Sequence, residues 1–154
     1  MNNSREILFK IRIGLDIAIF LLNTDRGIQA TEVCGECLIL LNNLDSGIDS
    51  FNVSEVISDY KNAARYTIEL LVRFQIAGLL MIKLGNNYKG RGRLSEAKIL
   101  FESTVAITTT IGARGTEATA YQGLGRITQS NGEYQKAKEY HEKALAIEIG
   151  RAHV

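Results

Sequence analysis

The chain has 154 residues, 45% hydrophobic and 23% charged, with 18 Lys and Arg against 17 Asp and Glu for a net charge of +1. That composition excludes a disordered chain and leaves room for one compact domain or about four two-helix units. It supplies no broad field for drawing nucleic acid or an anionic membrane surface.

The first predicted unit is a helical hairpin near 5–42. Its apolar opening, Ile7 to Leu22, carries Lys10, Arg12 and Asp16. An aspartate is costly at a bilayer centre, so the stretch reads as a helix of the fold and not as a membrane span or signal peptide. Ala30 to Leu41 is the predicted second helix, and Cys34-Gly35-Glu36-Cys37 lies on its apolar positions. A CxxC pair can be a redox dithiol or half of a zinc site. The redox context of a preceding strand is missing, and apart from the C-terminal tail only His141 could be a further soft ligand. The cysteines are therefore expected to be packed and inert, with no metal and no cofactor. Two cysteines without an export signal point to the reducing cytosol, where the Asn2-Asn3-Ser4 and Asn52-Val53-Ser54 sequons have no use.

A second hairpin is expected near 50–75, although Ser, Asp and Gly accumulate over 44–58 and its first helix is poorly marked. Its register rests on Ala63, which falls 33 residues after Ala30 and 34 before Ala97, and on Asp59-Tyr60-Lys61-Asn62-Ala63, which matches Glu133-Tyr134-Gln135-Lys136-Ala137.

Self-similarity is clearest in the last two units, near 77–110 and 116–148. Leu84-Gly85 and Leu124-Gly125 are 40 apart, as are Gly92 and Gly132, Ala97 and Ala137, and Ile107 and Ile147. Met81, Leu84 and Tyr88 have the spacing of one apolar helix face, a break follows at Gly92, and Leu94, Ala97, Phe101, Thr104 and Ile107 form the next face. Gly85 with Ala97, and Gly125 with Ala137, are expected to let the two helices of each hairpin approach closely. The Gly85 to Gly92 run lacks the Lys-Ser/Thr and the preceding strand of a phosphate loop, so it reads as a turn. Lys89, Arg91 and Arg93 form a basic cluster without the interleaved aromatics of a single-strand binder. One histidine outside the tail leaves almost no general base, so no catalytic residues are expected.

These residues carry a resemblance. Met81/Tyr121, Leu84-Gly85/Leu124-Gly125, Tyr88, Ala97/Ala137, Phe101 and Ala144 resemble the tetratricopeptide signature, and the 40-residue spacing with the Ile111 to Ala118 linker is similar to the arrays of Pins-type G-protein-signalling modulators. Thr128 and Thr104 depart from the pattern, and the chain has no proline to end a repeat. The resemblance implies an all-α right-handed superhelix of about four antiparallel hairpins. It also implies a non-catalytic scaffold that binds other proteins along a concave face lined by the first helices. The groove residues are then Ile82, Asn86 and Lys89 in one unit and Gln122, Arg126 and Gln129 in the next, a polar and locally basic set suited to extended or acidic segments. Neither nucleic acid nor membrane is expected as a partner. An RNA-binding helical repeat and an architectural segment of a larger signalling protein or enzyme are the alternative readings; the varying period and the near-zero net charge weigh against the RNA reader.

The last six residues, Ile149 to Val154, resemble the in-frame translation of a short-read sequencing adaptor. They are expected to add nothing to the fold, with the native sequence continuing past about Glu148.

Overall fold

The computed structural model describes the backbone of residues 2–46 and 60–152 and the side chains of 5–44 and 68–151. The described residues form α1 (Asn2–Asn23), α2 (Gly27–Ser46), α3 (Tyr60–Gly90), α4 (Leu94–Ile111), α5 (Arg114–Ser130) and α6 (Tyr134–Ala152), with no strand among them. The fold is an all-helical repeat. Among the described residues no helix is long and apolar enough to cross a membrane.

The helices pair as α1 with α2, α3 with α4 and α5 with α6, and one turn design joins each pair. Asp25, Gly92 and Gly132 take left-handed φ values of 62°, 79° and 78°. The next residue's N–H then reaches back to the carbonyl five residues before it: Arg26 to Leu21 at 2.9 Å, Arg93 to Tyr88 at 2.8 Å and Glu133 to Thr128 at 2.8 Å. This satisfies a carbonyl at the end of the first helix and reverses the chain. Four residues further on, Ala30, Ala97 and Ala137 each donate an N–H back to that same turn residue, and all three are buried. Glycine enters the left-handed slot freely; Asp25 enters it at some backbone cost.

The equivalent turns are thus 67 and 40 residues apart, which corrects the expected organisation. No break occurs at 75–77, because residues 60–90 are a single helix of 31 residues. Buried Leu70, Phe74, Ala77 and Met81 keep helical spacing straight through the expected boundary, and Gly78 alone is too weak to end a helix. Ala63 therefore lies on α3, on no second helix of its own, and its side chain is outside the described residues, as are residues 47–59. Three hairpins stand among the described residues.

They stack in chain order. Arg12 pairs with Glu69 at 3.6 Å and Asp16 with Arg73 at 2.9 Å, a constant offset that sets α1 parallel to α3. Gly27 admits the ends of Leu84 and Leu100, which lie 2.9–3.2 Å from where a Cβ would stand. Tyr88, itself buried, donates its hydroxyl to the Asp25 carbonyl at 3.2 Å and accepts the Gly27 N–H at 3.4 Å, tying the first turn to α3. In the second interface α5 lies mainly against α4. The fully buried ring of Phe101 is inserted there between Gly85 of α3 and Gly123 of α5, where added Cβ atoms would come within 3.0 Å and 2.8 Å of it.

The atoms nearest the Cβ positions of Gly85 and Gly125 are those of the Phe101 and His141 rings, one helical turn after Ala97 and Ala137. The two threonine departures are satisfied within their own helices: Thr104 donates to the Leu100 carbonyl at 2.8 Å and Thr128 to that of Leu124 at 2.9 Å. A buried hydroxyl with such a partner loses little. Cys34 and Cys37 are buried free thiols, and Cys37 faces the Ile11 carbonyl at 3.7 Å. Burial pushes Cys34 up to about 12 and Cys37 to about 11, reinforced by Cys37 and Glu36 respectively. The C-terminal tail is not detached, since α6 continues helically to Ala152 and the Arg151 guanidinium lies 2.9 Å from where a Cβ on Gly115 would be.

Candidate protein-binding groove

Ile82, Asn86 and Lys89 are on α3, and Gln122, Arg126 and Gln129 are on the neighbouring α5. Their shared spacing of four and three residues puts each trio on one helix face. Asn86, Arg126 and Gln129 are exposed, whereas Ile82, Lys89 and Gln122 are half-buried.

Of the six, Ile82 lines a shallow, open depression of about 450 Å³. Gln75 and Leu79 join it from α3, Arg114, Thr116 and Thr119 from α5, and Glu148 and Arg151 from α6. The Gln75 amide donates to the Thr116 hydroxyl at 3.2 Å, closing the floor between the first helices of adjacent hairpins. Arg114 is held by the buried carboxylate of Glu117 at 3.2 Å, and Arg151 lies 3.7 Å from Glu148. The other five residues continue along the two helices beyond this cleft.

Sequence reading missed the upstream half of the surface. Ile68, Leu71, Val72 and Leu79 are exposed, and with Gln75 and Ile82 they fall on the face of α3 that carries Asn86 and Lys89, because all are separated by near-multiples of 3.6 residues. Apart from Gln75, the α3 wall is therefore apolar from Ile68 to Ile82 and becomes polar and basic from Asn86 onward, upstream of the groove residues expected from the sequence. The signal was an apolar stripe running past the assumed boundary at 75–77.

The basic cluster at the turn is already engaged. Arg91 pairs with Asp25 at 3.1 Å and Arg93 with Glu96, and their guanidinium carbons stack 4.9 and 4.0 Å from the Tyr88 ring centre. The Tyr88 hydroxyl and the Arg91 guanidinium hold the Asp25 carboxyl below the usual carboxylate range. Burial, helped by the bond to Asp25, raises the Tyr88 phenol. This is a structural clamp on the turn. Among the described residues no group of three or more His, Cys, Asp or Glu is placed to hold a metal ion.

The family model for the tetratricopeptide repeat matches residues 75–147. No curated protein and no solved structure shows significant similarity to the chain.

Proposed function

Since the chain is a tetratricopeptide repeat protein over residues 75–147, and such repeats generally serve as non-catalytic protein-interaction scaffolds, we propose that it binds a partner protein's segment along the face formed by α3 and α5. The observation that supports this is the division of the α3 face into an upstream part with exposed Ile68, Leu71, Val72 and Leu79 and a downstream part with Asn86 and Lys89, beside an α5 that carries Gln122, Arg126 and Gln129. A segment that fits has apolar side chains at one end and acidic ones at the other. The apolar end supplies affinity by leaving water. The acidic end supplies register and on-rate.

Ile82 and Gln122 occupy places where a clamp for a free C-terminal carboxylate would want cations, so internal segments are favoured over chain termini. The proposed setting is the cytosol. The test is a panel of peptides with an apolar half and an acidic half in either order, titrated against the native protein and a Lys89→Glu/Arg126→Glu variant. The matching order should bind tighter, and the variant should lose roughly tenfold at low salt and much less at high salt, as exposed charges are screened. Equal binding by the folded variant, or by both peptide orders, would remove this face. Tighter binding of single-stranded RNA with a steep salt dependence would replace the proposal with nucleic-acid recognition.

A further inference from the structure

The exposed apolar residues of α3 are arranged as a surface for packing a helix. Ile68, Val72 and Ile76 form one row of residues four apart, and Leu71, Gln75 and Leu79 form the row beside it. Gln75 is half-buried, and the other five are exposed, from 40% at Ile76 to 61% at Ile68. Two such rows bound the kind of furrow in which a row of side chains from a second helix seats. The furrow is on the middle one of the hairpins' first helices, with α1 on one side and α5 on the other. The polar groups that border it are engaged with one another. Toward α1, Arg12 pairs with Glu69 and Asp16 with Arg73, which also donates to the Glu69 carbonyl at 3.3 Å. Toward α5, the Gln75 amide donates to the Thr116 hydroxyl. The peptide groups of α3 bond within their own helix. An extended segment lying here would press its N–H and C=O groups against apolar side chains, and each one buried without a partner costs about 1–3 kcal/mol. A helix brings no such groups, because its backbone is satisfied internally.

We propose that the apolar part of the bound segment is an amphipathic α-helix of another protein, acidic along its flanks, with one apolar row seated between these two rows of α3. This rests on the reading that α3 and α5 form the binding face, and it adds the conformation and the charge of what binds there. Charge selects against a second copy of the chain as the occupant. With Glu69 and Arg73 already paired to α1, the sequence of α3 still carries Lys61, Arg65, Lys83 and Lys89 and no other acid. Two α3 helices laid side by side would therefore bring like charges together, whereas an acidic helix complements them. The helix-in-groove mode also accounts for the spacing, since anchors at i, i+4, i+7 and i+11 of a partner helix follow the same period as the rows that receive them.

Two acidic peptides of identical composition test this, one with its Leu and Ile at i, i+4, i+7 and i+11 and one with the same residues at alternate positions. Each is titrated by calorimetry against the native protein and against a Val72→Glu/Leu79→Glu variant. Both substituted side chains are exposed, and circular dichroism checks that the variant keeps its helices. The peptide of helical period should bind the native protein about tenfold tighter than the alternating one, roughly the affinity of one apolar anchor. It should gain helical circular dichroism on binding, and it should lose at least about tenfold on the variant or when a proline is placed in its middle. Equal or tighter binding by the alternating peptide, lost on the same variant, would overturn the helix and leave the face standing as a binding surface. Binding of the helical peptide that the variant leaves unchanged would overturn both, and binding by neither peptide would overturn the acidic helix as occupant. Sedimentation of the native protein alone gives the remaining outcome: a dimer that the variant abolishes would make the occupant a second copy and overturn the proposal.

Discussion

Replacing Gly123 by Ala should destabilise the protein even though alanine is the better helix former. The added methyl would lie 2.8, 2.8 and 2.9 Å from three atoms of the Phe101 ring, so ring and helix must separate by roughly 1 Å to reach ordinary van der Waals contact. Phe101 cannot retreat, because it is fully buried and its ring also lies 3.0–3.3 Å from the Cβ position of Gly85. Overpacking of this kind costs about 1–3 kcal/mol, against a propensity gain of about 1 kcal/mol. The net expectation is a loss of up to about 2 kcal/mol, or several degrees in Tm for a chain of this size. Gly35→Ala is the control. Gly35 lies within α2, has no atom within 4 Å of the added methyl and has no left-handed φ, so it should gain most of the propensity term, about 0.5–1 kcal/mol. A third variant isolates the cause: in a Phe101→Leu background, Gly123→Ala should lose its penalty, giving a coupling energy on the order of 1 kcal/mol in a double-mutant cycle. Thermal melts by circular dichroism suffice. If Gly123→Ala raises Tm as Gly35→Ala does, Phe101 does not hold the second and third hairpins together as described.

Gly125→Leu should cost less than the close approach of His141, 2.6–2.9 Å from a Cβ there, would indicate; the His141 ring lies on an exposed residue and can swing outward, so its Tm should fall by less than that of Gly123→Leu. Cys34 and Cys37 should react slowly with thiol reagents until the protein unfolds, and rapid labelling at neutral pH would contradict their burial. Both thiols are raised from the ordinary 9.0, to about 12 and about 11, so the unfolded chain ionises first. Their stability contribution should then be complete below pH 9 and fall away as pH rises toward those values, measured as an alkaline drop in Tm that Cys34→Ala/Cys37→Ala reduces. Deleting residues 149–154 removes an exposed Ile149 and the contact of Arg151 with Gly115; a terminal turn of this kind carries little stability, so Tm should shift by no more than a degree or two, about the effect of 0.5 kcal/mol. A large fall would make the turn part of the core.

What the sequence revealed depended on which turns used glycine. Gly92 and Gly132 fill their left-handed slots visibly, and with the Leu-Gly pairs they made the 40-residue register legible. The third turn was hidden because Asp25 fills the slot instead. Without it, the distance from Ala30 to Ala97 was divided into steps of 33 and 34 at Ala63, a residue that lies along α3. The same false boundary concealed the apolar wall of the groove, since Ile68, Val72 and Leu79 were assigned to separate units. Burial of Ala30, Ala97, Ala137, Cys34 and Cys37 was legible from periodicity alone. The seating of rings on glycines was not, because Phe101 and Gly123 become neighbours only when two hairpins stack.

The uninterrupted α3 also bears on how the molecule comes apart. Ideal repeat arrays unzip from their ends, one unit at a time, because each unit holds only its neighbours. At 1.5 Å per residue this helix is about 46 Å long, against about 27 Å for the 18-residue α4 beside it. Its early turns hold α1 through Glu69 and Arg73, and its late turns hold Phe101 at Gly85. A helix propagates more easily than it nucleates, so the two ends of this rod resist melting separately. The first two hairpins are thereby joined into one cooperative block, and amide exchange along residues 68–90 should report a single opening free energy, with α5 and α6 free to fray before it.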